Sequence, residues 1–283
     1  MKILITGING QVGHALMQYL TGHELIGLAR QDCDLANLDQ IKNVIDQHQP
    51  ELIINPAAYT KVDQAEDEPE LAFQINRDAP RVMAEKAREY NIPLIHFSTD
   101  YVFDGEKKEA YVETDPTNPL GIYGQSKLAG EEAIQEVGGR IYIFRTSWVY
   151  SNIGHNFYLT MKRLSTERDE LKVVADQLGV PTSNQFIAEQ MKTIIPLLDE
   201  NNTGIYHLVP DGSCSWHEFT KTIISQANPD FNLEKLHAIQ THEFPTKTKR
   251  PKNSILNNAK IKQSFNLTLN NWQAELEKVI DEA

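Results

Sequence analysis

Cysteine is scarce in this chain: among its 283 residues there are two, Cys33 and Cys214, and their separation fits no metal or redox spacing. Both are expected to be reduced thiols of a cytoplasmic protein, not parts of a disulfide framework. Long apolar runs are missing too. No stretch approaches the ~18 apolar residues that a membrane helix needs, and the opening "MKILITG" is too short for a signal segment and ends in a glycine turn. Positive charge is in deficit, with 27 Lys and Arg against 39 Asp and Glu and a net charge of -12. That balance excludes general nucleic-acid binding, although a local cluster can still hold a small anion. Internal repeats and low-complexity tracts are lacking.

What is present is a regular alternation. The runs Lys2 to Thr6, Glu24 to Ala29, Glu51 to Asn55, Pro93 to Thr99 and Ile141 to Ser147 are short, β-branched and nearly continuous in apolar residues. Such runs suit strands covered on both faces. Between them, Gln11–Leu20, Leu38–His48, Leu71–Tyr90 and Tyr123–Val137 carry helical periodicity. Strand-helix alternation predicts an α/β fold with a doubly wound parallel sheet of the Rossmann type. Past Ser151 the rhythm loosens. Residues 1–150 are therefore expected to form a dinucleotide-binding domain with a return near 188–212. Residues 151–187 and 213–283 are expected to form a smaller C-terminal substrate domain.

"TGINGQVG" follows the first strand and opens the first helix. Gly7 would make the tight turn, Gly10 would admit a pyrophosphate to the backbone, and Gly13 would let helix and strand pack closely. The spacing is G-x-x-G-x-x-G, one residue longer than the commonest dinucleotide fingerprint. At the end of the second strand, where NAD-binding chains usually carry an acid, this chain has Arg30. An arginine suits a phosphate on the adenosine ribose, so NADPH is the expected cofactor. Asp32 and Asp34 keep NADH as the alternative.

Two strings, "YGQSK" and "YLTMK", place a lysine four residues after a tyrosine, at Tyr123–Lys127 and Tyr158–Lys162. On a helix that spacing puts both side chains on one face. With ten tyrosines in the chain, one such pair is expected by chance. Context separates them: Tyr123 opens a helix after the turn-rich "NPLG", and the strand end "STD" lies upstream. Tyr123 would then protonate a developing alkoxide, Thr99 would orient the carbonyl, and Lys127 would lower the tyrosine pKa from ~10 and hold the nicotinamide ribose. Tyr158–Lys162 is expected on an amphipathic helix surface.

The stretches "GINGQVG", "AAYTKVDQAE", "FSTDYVFDG", "NPLGIYGQSKLAGE", "FRTSWVY", "DQLGVPT", "GIYHLV" and "RPKNSIL" together resemble the extended short-chain dehydrogenases/reductases. Within that superfamily the resemblance is to the dTDP-4-dehydrorhamnose reductases, over nearly the whole chain. It implies reduction of a dTDP-4-keto sugar to dTDP-L-rhamnose by NADPH or NADH. It implies that Gly10, Gln11 and Val12 meet the dinucleotide, with Asp34, Leu35, Ala58, Tyr59 and Thr60 beside it. Thr99, Asp100, Tyr101 and Trp148 would meet the sugar, and Arg250 its diphosphate. Sugar-nucleotide dehydratases need an acid where this chain has Tyr101. Another epimerase or reductase of nucleotide sugars, and a non-catalytic NADP-binding subunit of a methionine adenosyltransferase complex, are the alternatives. Some members form metal-bridged dimers through a glutamate in the first helix. Here that helix reads His14-Ala15-Leu16, so no required metal and a monomer or weak homodimer are expected.

Overall fold

In the computed structural model, which describes residues 1–282, six parallel strands form the central sheet. They are β1 (Lys2–Thr6), β2 (Glu24–Leu28), β3 (Leu52–Asn55), β4 (Leu94–Thr99), β5 (Ile141–Thr146) and β6 (Gly204–His207). Their order is β6-β5-β4-β3-β1-β2. The chain reverses its direction of winding between β1 and β3, and ligands of such sheets bind outside the strand ends at that switch.

Alternation along each strand feeds two separate cores. Ile3, Ile5 and Ile54 pack with Leu16 of α1 (Gln11–Tyr19) on one face, whereas Leu4 and Ile53 pack with Ile41 and Ile45 of α2 (Leu38–His48) on the other. The second face also receives Met83 from the long helical run α3 (69–89) and Ile134 from α4 (Ile122–Val137). The first receives Phe186, Met191 and Ile194 from α5 (Asn184–Ile194). Covering both faces is why the strands read as unbroken apolar runs. A third core lies outside the sheet, where Tyr158, Phe219, Ile223, Trp272 and Leu276 meet. It unites the helices Phe157–Glu167, Trp216–Ala227 and Trp272–Asp281. The strand Leu171–Val174 pairs in parallel with Leu236–Ile239 beside them.

Two features fix α4, the helix that carries Tyr123 and Lys127. Its cap residue Gly121 offers no side chain, and the Ile122 N–H instead donates to the Glu66 carboxylate at 2.9 Å. A negative charge there also suits the positive end of the helix dipole. One turn past Lys127, the buried Glu131 accepts from Arg145 Nε (2.9 Å) and Nη2 (2.6 Å), which clamps α4 to β5. Removing one member of a buried pair strands the other charge. Glu131→Gln is therefore expected to lower the unfolding free energy by ~3–5 kcal/mol, measured by urea denaturation. A loss under about 1 kcal/mol, the range of surface pairs, would show that the clamp is not what holds the helix.

Candidate active site

The switch point is built by a glycine. Gly7 sits at φ +62°, and a Cβ there would lie 2.8 Å from the Ala57 Cβ at the end of β3. A Cβ on Gly13 would lie 2.3 Å from the Gly7 carbonyl, so α1 starts hard against the turn. The cap Gly10 contributes no side-chain hydrogen bond, and the first turn of α1 holds no acid. The first three N–H groups of the helix therefore stay free for an anion. Beside them opens a cleft of about 420 Å³ lined by Gly7, Arg30, Asp34, Leu35, Ala58, Tyr59 and Thr60. A free helix end and an adjoining cleft at the switch point fit a dinucleotide.

Within the cleft the charges are already engaged. Arg30 is 78% exposed and lies 3.8 Å from Asp34, so part of its charge is answered before any ligand arrives. Lys61, which the sequence reading passed over, lines the same cleft as a second cation. Tyr59 donates its hydroxyl to Glu68 at 2.6 Å, and burial followed by that carboxylate pushes the phenol up to about 12. The Gln11 side chain turns away from the anion site. Its Oε1 accepts from Ser151 Oγ (2.7 Å) and Asn156 Nδ2 (3.0 Å), so only its backbone N–H is turned to the anion site.

At the same carboxyl end of the sheet, β4 delivers Thr99 and a 3-10 turn carries Asp100 and Tyr101. Gly124 lets α4 lie against this turn, since a Cβ there would be 2.3 Å from the Tyr101 carbonyl oxygen. Tyr123 thus stands edge-on to Tyr101 at 5.6 Å. Thr99 Oγ1 donates to Asp100 Oδ1 at 3.0 Å and accepts the Tyr101 N–H at 3.2 Å. Burial holds the Tyr123 hydroxyl well above its ordinary pKa, opposed by a hydrogen bond with Thr99 and reinforced by Asp100 and Tyr101. In the free protein burial thus outweighs the lowering expected from Lys127. Lys127 is buried and spends its protons elsewhere, on the Phe97 carbonyl at 2.6 Å and toward His96 Nε2 at 3.2 Å. Burial pulls Lys127 down to about 8, with Glu131 opposing. Asp100 is pushed up to about 6 by burial, against hydrogen bonds from Ser254, Thr99 and backbone.

The family described as the RmlD substrate binding domain matches residues 1–283. A dTDP-4-dehydrorhamnose reductase of Sinorhizobium fredii is 41% identical over 99% of this chain and 97% of its own. A solved dTDP-4-dehydrorhamnose reductase of Clostridium acetobutylicum superposes with a TM-score of 0.94 at 38% identity, covering 100% of this chain and 99% of that one. A Bacillus anthracis reductase in complex with NADP superposes with a TM-score of 0.93 at 38% identity, over 100% and 99%. The chain belongs to the dTDP-4-dehydrorhamnose reductase family.

In this family member the tyrosine pair left over, Tyr158–Lys162, is not a surface pair. Tyr158 is fully buried in the third core against Tyr150, and its hydroxyl has no partner. The periodicity was helical, but the helix faces a core that the loosened C-terminal pattern did not reveal. Asn76 is the residue that sequence reasoning missed. It lies in a π-helical turn (Gln74–Asp78) inside α3, accepts the Tyr59 N–H at 2.8 Å, and donates to Tyr59 O (3.1 Å) and Ser126 Oγ (2.9 Å). One side chain so ties the cleft loop to the helix of Tyr123. An asparagine inside the long helical run was the available signal.

Arg250 reaches the same corner from the C-terminal segment. Its Nη2 donates to Asp63 at 2.8 Å, its guanidinium lies 5.8 Å from the Tyr101 ring centre, and Nη1 is buried without a partner. Among the described residues no group of three or more His, Cys, Asp or Glu is placed to hold a metal, and no helix is long and apolar enough to cross a membrane. Trp148 follows β5 on the rim beside Thr99, whose strand partner is Thr146. It takes φ +45°, unusual for a bulky residue, and stacks on Trp216 at 3.5 Å and 8°. Gly179 makes room for this, because a Cβ there would sit 2.4 Å from the Trp148 ring. Gly179→Ala should therefore displace the indole, costing ~1–3 kcal/mol of stability as overpacking does and altering the near-ultraviolet circular dichroism of the stacked pair. An unchanged spectrum would mean that Gly179 does not shape the rim.

Proposed function

We propose that this chain reduces the C4 carbonyl of dTDP-4-dehydro-6-deoxy-L-mannose, giving dTDP-L-rhamnose, with NADPH as the favoured reductant and NADH as the alternative. The observation that carries this reading is the placement of Thr99 and Tyr123 together at the carboxyl end of β4, with Lys127 behind them, in a member of this family. NADPH, when bound along Gly7, Gly10, Gln11, Val12 and Gly13, supplies the hydride to C4. Arg30 and Lys61 are the cations available to its ribose phosphate. Arg30 loses the Asp34 contact in gaining it.

Tyr123 gives its phenolic proton to the substrate oxygen as negative charge develops there. Burial keeps the phenol fully protonated at neutral pH, which is the form an acid must start from. Thr99 has one hydroxyl proton, given to Asp100 in the free protein; turned from Asp100 to the same oxygen, it fixes the approach of the carbonyl. The Lys127 ammonium stabilises the tyrosinate left behind, and its charge acts strongly because water is excluded. Tyr101 and Trp148 frame the sugar, and the Tyr101 N–H holds the Thr99 oxygen in place. Arg250 is the cation offered to the diphosphate; its Nη1, buried and unpartnered in the free protein, must be uncovered to meet the phosphate oxygens.

On this reading residues 1–150 and 188–212 hold the dinucleotide, while 151–187 and 213–283 present the sugar. The protein would work in the cytoplasm as a monomer or weak homodimer. The test is oxidation of NADPH by purified protein, dependent on the dTDP-keto sugar. Tyr123→Phe should lower turnover ~10²–10⁴-fold, the usual worth of a positioned acid. Tyr158→Phe, which removes an unpartnered buried hydroxyl, should keep near-normal turnover. Equal losses in the two folded variants would remove Tyr123 from the reaction.

A further inference from the structure

Behind Lys127 a line of polar side chains crosses the centre of an otherwise apolar sheet. His96 of β4 is completely buried, with Nε2 3.2 Å from Lys127 Nζ and Nδ1 3.1 Å from Asn55 Nδ2. The Asn55 Oδ1 in turn lies 2.6 Å from Thr6 Oγ1. All four residues are buried, and they come from β1, β3, β4 and α4. Apolar side chains would cover these inner positions at no cost in unpaired polar groups. Nothing in the reduction as derived above uses His96, Asn55 or Thr6.

The donor inventory decides how this line is ordered. An ammonium has only donors. When Lys127 is charged, its two neighbours must both accept, which the Phe97 carbonyl does and His96 Nε2 does only as a bare nitrogen. A neutral imidazole then carries its proton on Nδ1, and that N–H needs an oxygen opposite it. A half-turn of the Asn55 amide supplies one, its two ends being near-equal in shape, and turns the amide NH₂ toward Thr6 Oγ1, a hydroxyl able to accept.

We propose that His96 is the positioning residue of Lys127, held as its Nδ1–H tautomer by a half-turned Asn55 anchored on Thr6. Nε2 and the Phe97 carbonyl then occupy two of the three ammonium protons and leave the third facing the crevice. The charged groups around Lys127 support this. His96 faces it from β4, and Glu131 on its own helix is already answered by Arg145 of β5. Asn55 and Thr6, farther along the line, are uncharged, as is Asn76 of the neighbouring π turn, which bonds Ser126 on the same helix. Burial and the Lys127 charge both keep the His96 ring far below its ordinary pKa, so it stays neutral. Burial pulls Lys127 down to about 8, with Glu131 opposing, so loss of the acceptor at Nε2 would bring the neutral amine close to neutral pH.

The inference rests on Lys127 belonging to the reductase site, but its first test needs no turnover. Nitrogen NMR of the histidine-labelled, unmodified protein, with His96 assigned by comparison with His96→Gln, should show a neutral ring protonated on Nδ1 at pH 7. A ring protonated on Nε2, or one that is charged, would overturn it. The second test is the pH profile of turnover. A hydrogen bond to a charged group is worth ~1.5–3 kcal/mol, about one to two pH units. His96→Leu should therefore move the alkaline limb of kcat down by at least about one unit, whereas His96→Gln, which keeps an oxygen acceptor, should restore the limb and part of kcat. An alkaline limb that stays in place in the folded His96→Leu protein would also overturn it. Absence of turnover in the unmodified protein would count against the reductase reading and leave the NMR result standing.

Discussion

The close seating of one helix governs the rest of the site. α4 touches its neighbours through glycines, with Gly124 against the Tyr101 carbonyl and Gly130 against the Asn76 carbonyl, where a Cβ would lie 2.3 Å and 2.0 Å away. Those two contacts bring the helix backbone down onto the strand end and the π turn. Tyr123 meets Thr99 and Tyr101 because of the first. Ser126 meets Asn76, and through it the cleft loop at Tyr59, because of the second. Any larger residue at either position would lift the helix and part the two halves of the crevice.

Such a seat puts charge where water is absent. Lys127, Glu131, Arg145 and His96 are all buried in the ground between α4, β4 and β5. Isolated, each would be expelled or neutralised. Here Arg145 and Glu131 satisfy each other, and Lys127 has the Phe97 carbonyl and His96. The same dryness raises the phenol of Tyr123 and keeps it protonated. It also makes the stabilising field of one ammonium count for more than it would in water.

Much of this was legible in the order of residues. β1 reads Lys2 to Thr6 in both sequence and structure, and α2 reads Leu38–His48 in both, since unbroken apolar runs and helical periodicity survive any packing of their neighbours. Arg30, expected from its place at the end of the second strand, and Asp34, Leu35 and the Ala58–Thr60 loop, implied by the family resemblance, line one cleft. What failed to show was pairing across long separations. Gln11 turns to Ser151 and Asn156, and Trp148 stacks on Trp216, and neither leaves a periodic trace. Asn76, the fully buried Tyr158 and the polar line through His96 were invisible for the same reason. A polar residue inside a helix or strand signals a partner without saying which.

The central claim is that glycine-enabled contact between α4 and the Thr99–Tyr101 turn makes the site, and Gly124→Ala tests it most directly. A methyl group there would lie 2.3 Å from a backbone oxygen, not from a flexible side-chain end, so the helix must shift by roughly 1 Å to restore an ordinary contact. Misplacement on the order of 1 Å costs ~10²-fold in rate. Gly124→Ala should still unfold in one cooperative transition, yet lose about that factor in keto-sugar-dependent NADPH oxidation. A Gly124→Ala protein with unaltered kcat would contradict it.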